Sequence, residues 1–249
     1  MCGRFAVTTD PALLAEQIDA INEVPAGAGT GPNYNVAPTD SVVAAVSRHA
    51  HPQDSDDEPT RRIRLMRWGL VPPWTKPGPD GKPATGGPLL INARADKVTT
   101  SPAYRSAAEH RRCLVPMDGY YEWRPANAES PKTPFYFHRD GAMLFAAGLW
   151  SVWRPDRRFA PLLSVTIITT EAVGELATIH HRMPLLLPEN RWDRWLDPDA
   201  PADTALLAGP PDVTGIELRQ VSTLVNSVRN NSPELIAAAP SQPEQATLL

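Results

Sequence analysis

The chain has 249 residues, of which 42% are hydrophobic and 21% are charged, with a formal net charge of −4 and a pI of about 5.9. This size allows one domain with a substantial core. The slightly acidic balance argues against a protein that coats nucleic acid through bulk charge, although it permits a local basic cleft. No apolar run approaches the roughly 18 residues of a membrane span. With no secretory signal visible, we expect a cytoplasmic protein in which both thiols, Cys2 and Cys113, are free.

The predicted elements begin with a helix after Asp10, because Asp10 can cap it, Pro11 suits the first turn and the following apolar residues share one face. A loop rich in Pro and Gly is predicted over 72–88, and further helices are predicted to start near 101, 188 and 232. Strands are predicted at 41–46, 63–70, 89–91, 113–115, 135–137, 143–149 and 163–168. Many short strands with a few short helices predict an α+β fold with a mainly antiparallel, mixed β-sheet.

The second residue carries the most distinctive chemistry in the sequence. Removal of Met1, which is usual before a small residue, would leave Cys2 with a free α-amine beside its thiol. Such an aminothiol condenses with an aldehyde to an imine, and the thiol then closes on the imine carbon to give a five-membered thiazolidine. The two groups have ordinary pKa values of about 7.7–8.0 and 8.5, so both are partly nucleophilic near neutral pH. The alternative is that Cys2 is only an early residue of a strand.

Three later residues are candidates for proton transfer or substrate positioning. Glu122 lies among aromatic residues, in surroundings that favour proton shuttling by a carboxylate. His180 is a second candidate proton shuttle, and Asn92 can orient a substrate because its amide both donates and accepts hydrogen bonds. The alternatives are a glutamate paired with an arginine, and histidines that are simply on the surface or satisfied in the core. The cysteine spacing does not fit zinc, and no P-loop or GxGxxG pattern occurs, so no metal or other cofactor is expected.

Candidate contacts to phosphates and bases lie in the same segments. Arg94 and Arg182 could clamp phosphates through their guanidinium groups. Trp68, beside Gly69, could stack on bases, with core packing as the alternative.

Taken together, these segments resemble the SOS response-associated peptidase (SRAP) family. Each piece is short, but eight in one order are specific. The resemblance covers a single SRAP domain at 2–235, followed by a flexible C-terminal tail at 236–249. The family commonly has a glutamate where this chain has Asp96, and the loops at 51–60 and before Leu89 look lengthened. The matching pieces are Met1-Cys2-Gly3-Arg4-Phe5, Tyr34-Asn35-Val36-Ala37-Pro38-Thr39, Trp68-Gly69-Leu70-Val71-Pro72, Asn92-Ala93-Arg94, Arg112-Cys113-Leu114-Val115-Pro116, Asp118-Gly119-Tyr120-Tyr121-Glu122-Trp123, Ala147-Gly148-Leu149-Trp150 and His180-His181-Arg182-Met183-Pro184.

The resemblance implies a barrel-like SRAP fold and an enzyme that forms a thiazolidine crosslink between Cys2 and an abasic site in single-stranded DNA, protecting the lesion during the DNA damage response. Asn92 would position the Cys2 backbone or the sugar, while Glu122 and His180 would move protons. The protein would act as a monomer on single-stranded DNA containing abasic sites, and be nucleoid-associated when bound. The implied DNA-binding residues are Arg4, Asn35, Trp68, Arg94, Trp123 and Arg182.

Two other functions remain open at this point. A cysteine-type peptidase or amidohydrolase would use the same thiol on an amide, including removal of Met1 by the protein itself, and would release its product. A non-covalent module for single-stranded DNA would need neither Cys2 nor Glu122. A stable adduct with abasic single-stranded DNA that is lost in Cys2→Ala would separate these functions from crosslinking.

Overall fold

The computed structural model of the protein describes residues 2–51, 53–54, 56–84, 86–127 and 131–239. In these ranges no helix has the length and apolar character needed to cross a membrane. The strands are β1 (Phe5–Val7), β2 (Ile21–Asn22), β3 (Asn33–Val36), β4 (Ser41–Arg48), β5 (Thr60–Trp68), β6 (Asn92–Arg94), β7 (Arg112–Met117), β8 (Gly119–Arg124), β9 (Thr133–Arg139), β10 (Leu144–Trp153), β11 (Leu162–Glu171), β12 (Arg182–Pro184) and β13 (Ile216–Gln220). The α-helices are α1 (Pro11–Gln17), α2 (Arg105–His110), α3 (Trp192–Leu196) and α4 (Thr204–Ala208), and 3₁₀ turns cover Gly174–Thr178, Glu189–Arg191, Thr223–Asn226 and Pro233–Ile236.

Five strands close into a barrel. The antiparallel pairs β5–β4, β4–β7, β7–β10 and β10–β11 form an open ladder, and a parallel pairing of β11 with β5 closes it. The short strands β6 and β12 extend from β11, and β2 extends from β5. The prediction of a mainly antiparallel, barrel-like α+β fold with a few short helices is therefore confirmed.

A second sheet packs against the barrel and carries the start of the chain. Its strand order is β13–β9–β8–β1–β3, and all of its pairs are antiparallel. Because side chains alternate along a strand, Tyr120 faces the cluster shared with the barrel whereas Tyr121 faces the C-terminal segment on the opposite side. The chain start is thus buried between two sheets.

The helices cover the other face of the barrel strands. Leu14, Ala107 and Trp195, from α1, α2 and α3, pack in one cluster with Leu114 of β7. The neighbours of Leu114, Cys113 and Val115, point into the cluster that contains the chain start. The alternation of β7 therefore separates the helix layer from the layer that holds the N-terminal residues.

Most predicted elements occur with shifted ends. α1 begins as predicted, with the Asp10 carboxylate accepting from the Ala12 amide at 2.8 Å and Pro11 in the first turn. The strand predicted at 89–91 is instead β6, three residues later, where pairing with β11 is available. The composition of β8, with its aromatic and charged residues, gave no clear strand signal although this strand is central to the second sheet.

The first residues of the predicted C-terminal tail contact the second sheet. Ile236 packs against the second sheet, and the Ala239 amide donates to the Gln220 carbonyl at 2.8 Å. Residues 236–239 therefore pair with the end of β13 and satisfy backbone groups there. The remainder of the predicted tail, 240–249, lies outside the described residues.

Candidate functional site

The N-terminal strand places Cys2 at the centre of the molecule. Phe5 pairs with Tyr120, and the Tyr121 amide donates to the Arg4 carbonyl at 2.9 Å. Continuing this antiparallel register places residue 3 beside Glu122, with Cys2 just beyond. The chain start is thereby held against β8 by backbone hydrogen bonds.

The Cys2 thiol lies in an apolar environment. Its side chain is fully buried with Phe5 and Trp68 in the cluster between the sheets. Burial, and then the nearby charge of Glu122, raise the pKa of the Cys2 thiol well above its ordinary value. The thiol is therefore neutral at physiological pH and needs a base before it can act as a thiolate.

Asn92 holds the backbone of Cys2. Its Nδ2 donates to the Cys2 carbonyl at 2.7 Å. β6 is fixed by its parallel pairing with β11, and the Tyr104 hydroxyl donates to the Asn92 carbonyl at 3.0 Å. The Asn92 Oδ1 atom is buried and accepts no hydrogen bond from the described residues, so an acceptor remains beside the chain start.

Glu122 and His180 complete the surroundings of Cys2. Glu122 is buried on β8, and its charge acts on the titration of both Cys2 and His180, which requires all three to lie near one another. The Arg182 amide donates to His180 Nδ1 at 2.9 Å, which favours the neutral tautomer with its proton on Nε2. Burial lowers the pKa of His180, and the Glu122 charge opposes this only in part. The site thus pairs a buried carboxylate with a neutral imidazole.

Trp123 lies at the surface beside this site. Its indole Nε1 donates to Asn226 Oδ1 at 2.8 Å, and Lys132 Nζ lies 5.6 Å from the ring centroid. These residues, with Gly3 and Arg4, line an open cavity of about 370 Å³. The partly exposed ring and the cation over it are suited to stacking on a base and neutralising its phosphate.

Arg94 and Arg182 line a second cavity of about 420 Å³. Arg94 is exposed and forms two hydrogen bonds with the Asp96 carboxylate, at 2.9 and 2.8 Å. Arg182 is buried, and its Nη2 donates to the Thr169 carbonyl at 2.5 Å. Because Asp96 and Glu171 also line this cavity, a phosphate would have to compete with carboxylates for Arg94.

Two predicted DNA contacts are corrected by burial. Trp68 has 0% of its surface exposed, its ring centroid lies 5.0 Å from that of Phe5, and its Nε1 donates to the Ile91 carbonyl at 2.9 Å. It cannot stack on a base, and instead supports the backbone that leads into Asn92. Asn35 is also buried, and its Nδ2 donates to the carbonyls of Ser227 and Asn230 at 2.9 and 2.8 Å. Its amide is therefore structural.

The Arg4 guanidinium, which was predicted to contact DNA, also forms hydrogen bonds within the protein. Its Nη1 donates to Asn35 Oδ1 at 2.7 Å and to the Val225 carbonyl at 2.9 Å, and its side chain is only half-buried. It ties β1 to the segment after β13 while still lining the cavity beside Trp123.

Three residues near the site were not singled out from the sequence for any role. Tyr104 bonds the backbone of Asn92, Lys132 lies over Trp123, and Tyr120 shares the buried cluster of Cys2. No local pattern marks such residues, because their roles follow from contacts made across the fold. Among the residues that the structure describes, no three His, Cys, Asp or Glu side chains gather as a metal site would require.

Comparison with known proteins identifies the family. The model of the family "SOS response associated peptidase (SRAP)" matches residues 1–228. The chain is 36% identical to "Abasic site processing protein YoaM" of Bacillus subtilis, with 96% of this chain and 98% of the relative covered. It is 32% identical to "Abasic site processing protein HMCES" of Gallus gallus, with 82% of this chain and 66% of the relative covered. A solved protein from Bacteroides thetaiotaomicron shares the fold, with a TM-score of 0.77 at 22% identity, over 96% of this chain and 100% of that one. The chain therefore belongs to the SOS response-associated peptidase family.

Proposed function

We propose that this protein processes abasic sites in single-stranded DNA by capturing the deoxyribose aldehyde on Cys2 after Met1 has been removed. The observation that carries the proposal is the convergence on Cys2: Asn92 bonds its carbonyl at 2.7 Å, and the charge of Glu122 acts on both its thiol and His180. The names of the relatives YoaM and HMCES support abasic DNA as the substrate.

The first step is opening of the sugar, because an abasic site exists mainly as a cyclic hemiacetal. Ring opening removes the proton of the C1′ hydroxyl and protonates the ring oxygen. The buried Glu122 carboxylate is suited to accept the first proton, and neutral His180, with a proton on Nε2, is suited to donate the second. General acid and base catalysis of this kind typically contributes about 10²–10⁴-fold.

Capture then follows in two steps. The α-amine of processed Cys2 adds to the aldehyde carbon, and loss of water gives an imine. After ring opening, the proton on Glu122 returns to His180, which restores the carboxylate and the neutral imidazole. The thiol then loses its proton to Glu122, a bond forms between Sγ and C1′, and the imine nitrogen takes that proton from Glu122. The net reaction joins protein and DNA with release of one water. Asn92 would keep the amine in place, because it fixes the adjoining Cys2 carbonyl.

The surface around the site supports a DNA path. Trp123 offers a partly exposed ring with Lys132 over it, and Arg94 and Arg182 line a second cavity. Bases of a single strand can turn outward and stack on such a ring, whereas bases paired in a duplex cannot. Since the chain has a net charge of −4, the affinity for undamaged DNA should be modest and should fall with salt.

Intact mass measurement tests the proposal directly. The purified protein should lack Met1, and incubation with an abasic single-stranded oligonucleotide should add the oligonucleotide mass less one water. Cys2→Ala should give no adduct that survives without a reductant. Cys113→Ala should crosslink normally, because Cys113 is a matched buried thiol that carries no α-amine on its own residue.

Three results would count against the proposal. Active protein that retains Met1 would remove the required amine, and an adduct that depends on Cys113 would remove Cys2 from the chemistry. Hydrolysis of peptides with no DNA adduct would favour a cysteine hydrolase instead.

A further inference from the structure

Tyr120 carries a buried hydroxyl that the steps above do not use. Its side chain is 1% exposed, and its ring stacks on Phe137 with centroids 4.7 Å apart. Among the described residues its hydroxyl has no hydrogen-bond partner. An unpaired buried hydroxyl destabilises a fold, so its presence calls for a reason other than packing.

The hydroxyl belongs to the Cys2 site by position. Tyr120 and Glu122 are two residues apart on β8, so their side chains lie on the same face. Tyr120 packs in the same buried cluster as Cys2. Beyond burial itself, the charges of Cys2 and Glu122 raise the pKa of the Tyr120 phenol, which places the three groups near one another. Tyr121 points the other way, and its hydroxyl donates to the Tyr34 carbonyl at 2.7 Å.

We propose that Tyr120 is a further catalytic residue, whose hydroxyl donates a hydrogen bond to the Cys2 sulfur while the thiol closes on the imine carbon. The inference rests on the proposed crosslinking function. In this step the thiol proton passes to Glu122, the new bond joins Sγ to C1′, and the imine nitrogen takes the proton back from Glu122. Tyr120 keeps its own proton throughout, so the balance of atoms and charge is unchanged.

Ring closure needs such a donor because the Cys2 sulfur is buried away from solvent. Burial strongly disfavours the thiolate of Cys2, and negative charge must build on sulfur as its proton leaves. A fixed O–H dipole in a site without water stabilises that charge with little reorganisation. A phenol that stays protonated over the whole working pH range, as burial ensures for Tyr120, remains a donor throughout.

Paired variants separate this role from packing. Tyr120→Phe removes only the unpaired hydroxyl, so the melting temperature should be unchanged or higher. Ring closure should slow by about 10- to 100-fold, the range expected on losing a hydrogen bond to a charged group. Borohydride should then trap an imine that accumulates, at times when wild-type protein has already closed the ring. The control Tyr121→Phe should melt lower, because it loses a made hydrogen bond, and should crosslink at the wild-type rate.

The pH profile gives a second readout that packing would not move. The rate of ring closure in Tyr120→Phe should increase with pH over a range that lies higher than in the wild type, since the thiolate has lost a stabilising partner. A rate of ring closure in Tyr120→Phe within twofold of wild type would overturn the inference about Tyr120 but not the proposed function. Slower formation of the imine, with no accumulation of it, would do the same. If wild-type protein yields neither a trapped nor a stable adduct, the proposed function fails as well.

Discussion

Glu122→Gln is the substitution that most directly probes the proposed chemistry. It removes a proton acceptor that is 4% exposed and nearly isosteric with its replacement, so the fold should be kept. Two effects oppose each other. Loss of the Glu122 charge lowers the pKa of the Cys2 thiol, which favours the thiolate, whereas loss of the acceptor removes the base for sugar opening and ring closure.

The relative size of the causes that raise the pKa of the Cys2 thiol decides which of these two effects is larger. Burial is the largest cause of the raised thiol pKa and Glu122 only the second, so the thiol of Glu122→Gln remains protonated near neutral pH. The lost acid–base assistance is worth about 10²–10⁴-fold. We therefore expect crosslinking to an abasic oligonucleotide to slow by roughly 100-fold or more under single-turnover conditions.

Binding must be measured separately from chemistry. Fluorescence anisotropy with an oligonucleotide that carries a tetrahydrofuran in place of the abasic sugar reports affinity without reaction, and Glu122→Gln should bind within about threefold of wild type, because its buried carboxylate is not a phosphate contact. Glu16→Gln, on the exposed face of α1, is the matched control and should crosslink normally. A crosslinking rate within a factor of two of wild type, or a loss that merely follows the affinity, would refute the reasoning.

Three further outcomes follow from the geometry. Asn92→Ala breaks a 2.7 Å hydrogen bond and leaves a buried carbonyl unpaired, so single-turnover crosslinking should fall by roughly tenfold or more, and an unchanged rate would exclude its positioning role. In equilibrium binding titrations, Trp123→Ala should weaken binding of single-stranded DNA by about 1–3 kcal/mol without a change in stability. In chemical denaturation, Trp68→Ala should lower the free energy of unfolding by about 3–5 kcal/mol, because it removes a buried indole. Burial lowers the pKa of His138 and His180, so both side chains are neutral in the folded protein near neutral pH. Below the ordinary histidine pKa of about 6.5, the unfolded chain therefore binds more protons than the folded protein does. Thermal denaturation should therefore show stability that is full above that pH and declines as pH falls further, and constant stability down to pH 5 would contradict this.

The helix and strand content could be predicted because its signals are local. The cap at Asp10 and the proline at Pro11 are sequence neighbours of the helix they start, and α1 begins there. The apolar runs of the barrel strands were found for the same reason, since alternation is visible within a few residues. β8 was missed as a strand because it combines aromatic and charged residues, and its side chains enter buried clusters on both faces, which hides the usual alternation of apolar and polar residues.

The site could be predicted only in part. The residue types of Cys2, Asn92, Glu122 and His180 indicated the chemistry, and the resemblance to a family grouped these four residues into one site. Burial of Trp68 could not be read from the sequence, because an indole beside glycine suits a surface platform and a core equally well. The same holds for Asn35, whose partners lie about 190 residues further along the chain.

The sequence by itself determined the family, the mainly antiparallel class of the fold and the reactive potential of an amine and a thiol on one residue. Only the tertiary structure decided which polar side chains meet at Cys2, and which aromatic side chains face solvent. The physical reason is that strand register and closure of the barrel are set by pairings between distant segments. Those pairings fix which face of each strand is buried. That register also decides that Tyr120, and not Tyr121, faces the cluster that contains Cys2.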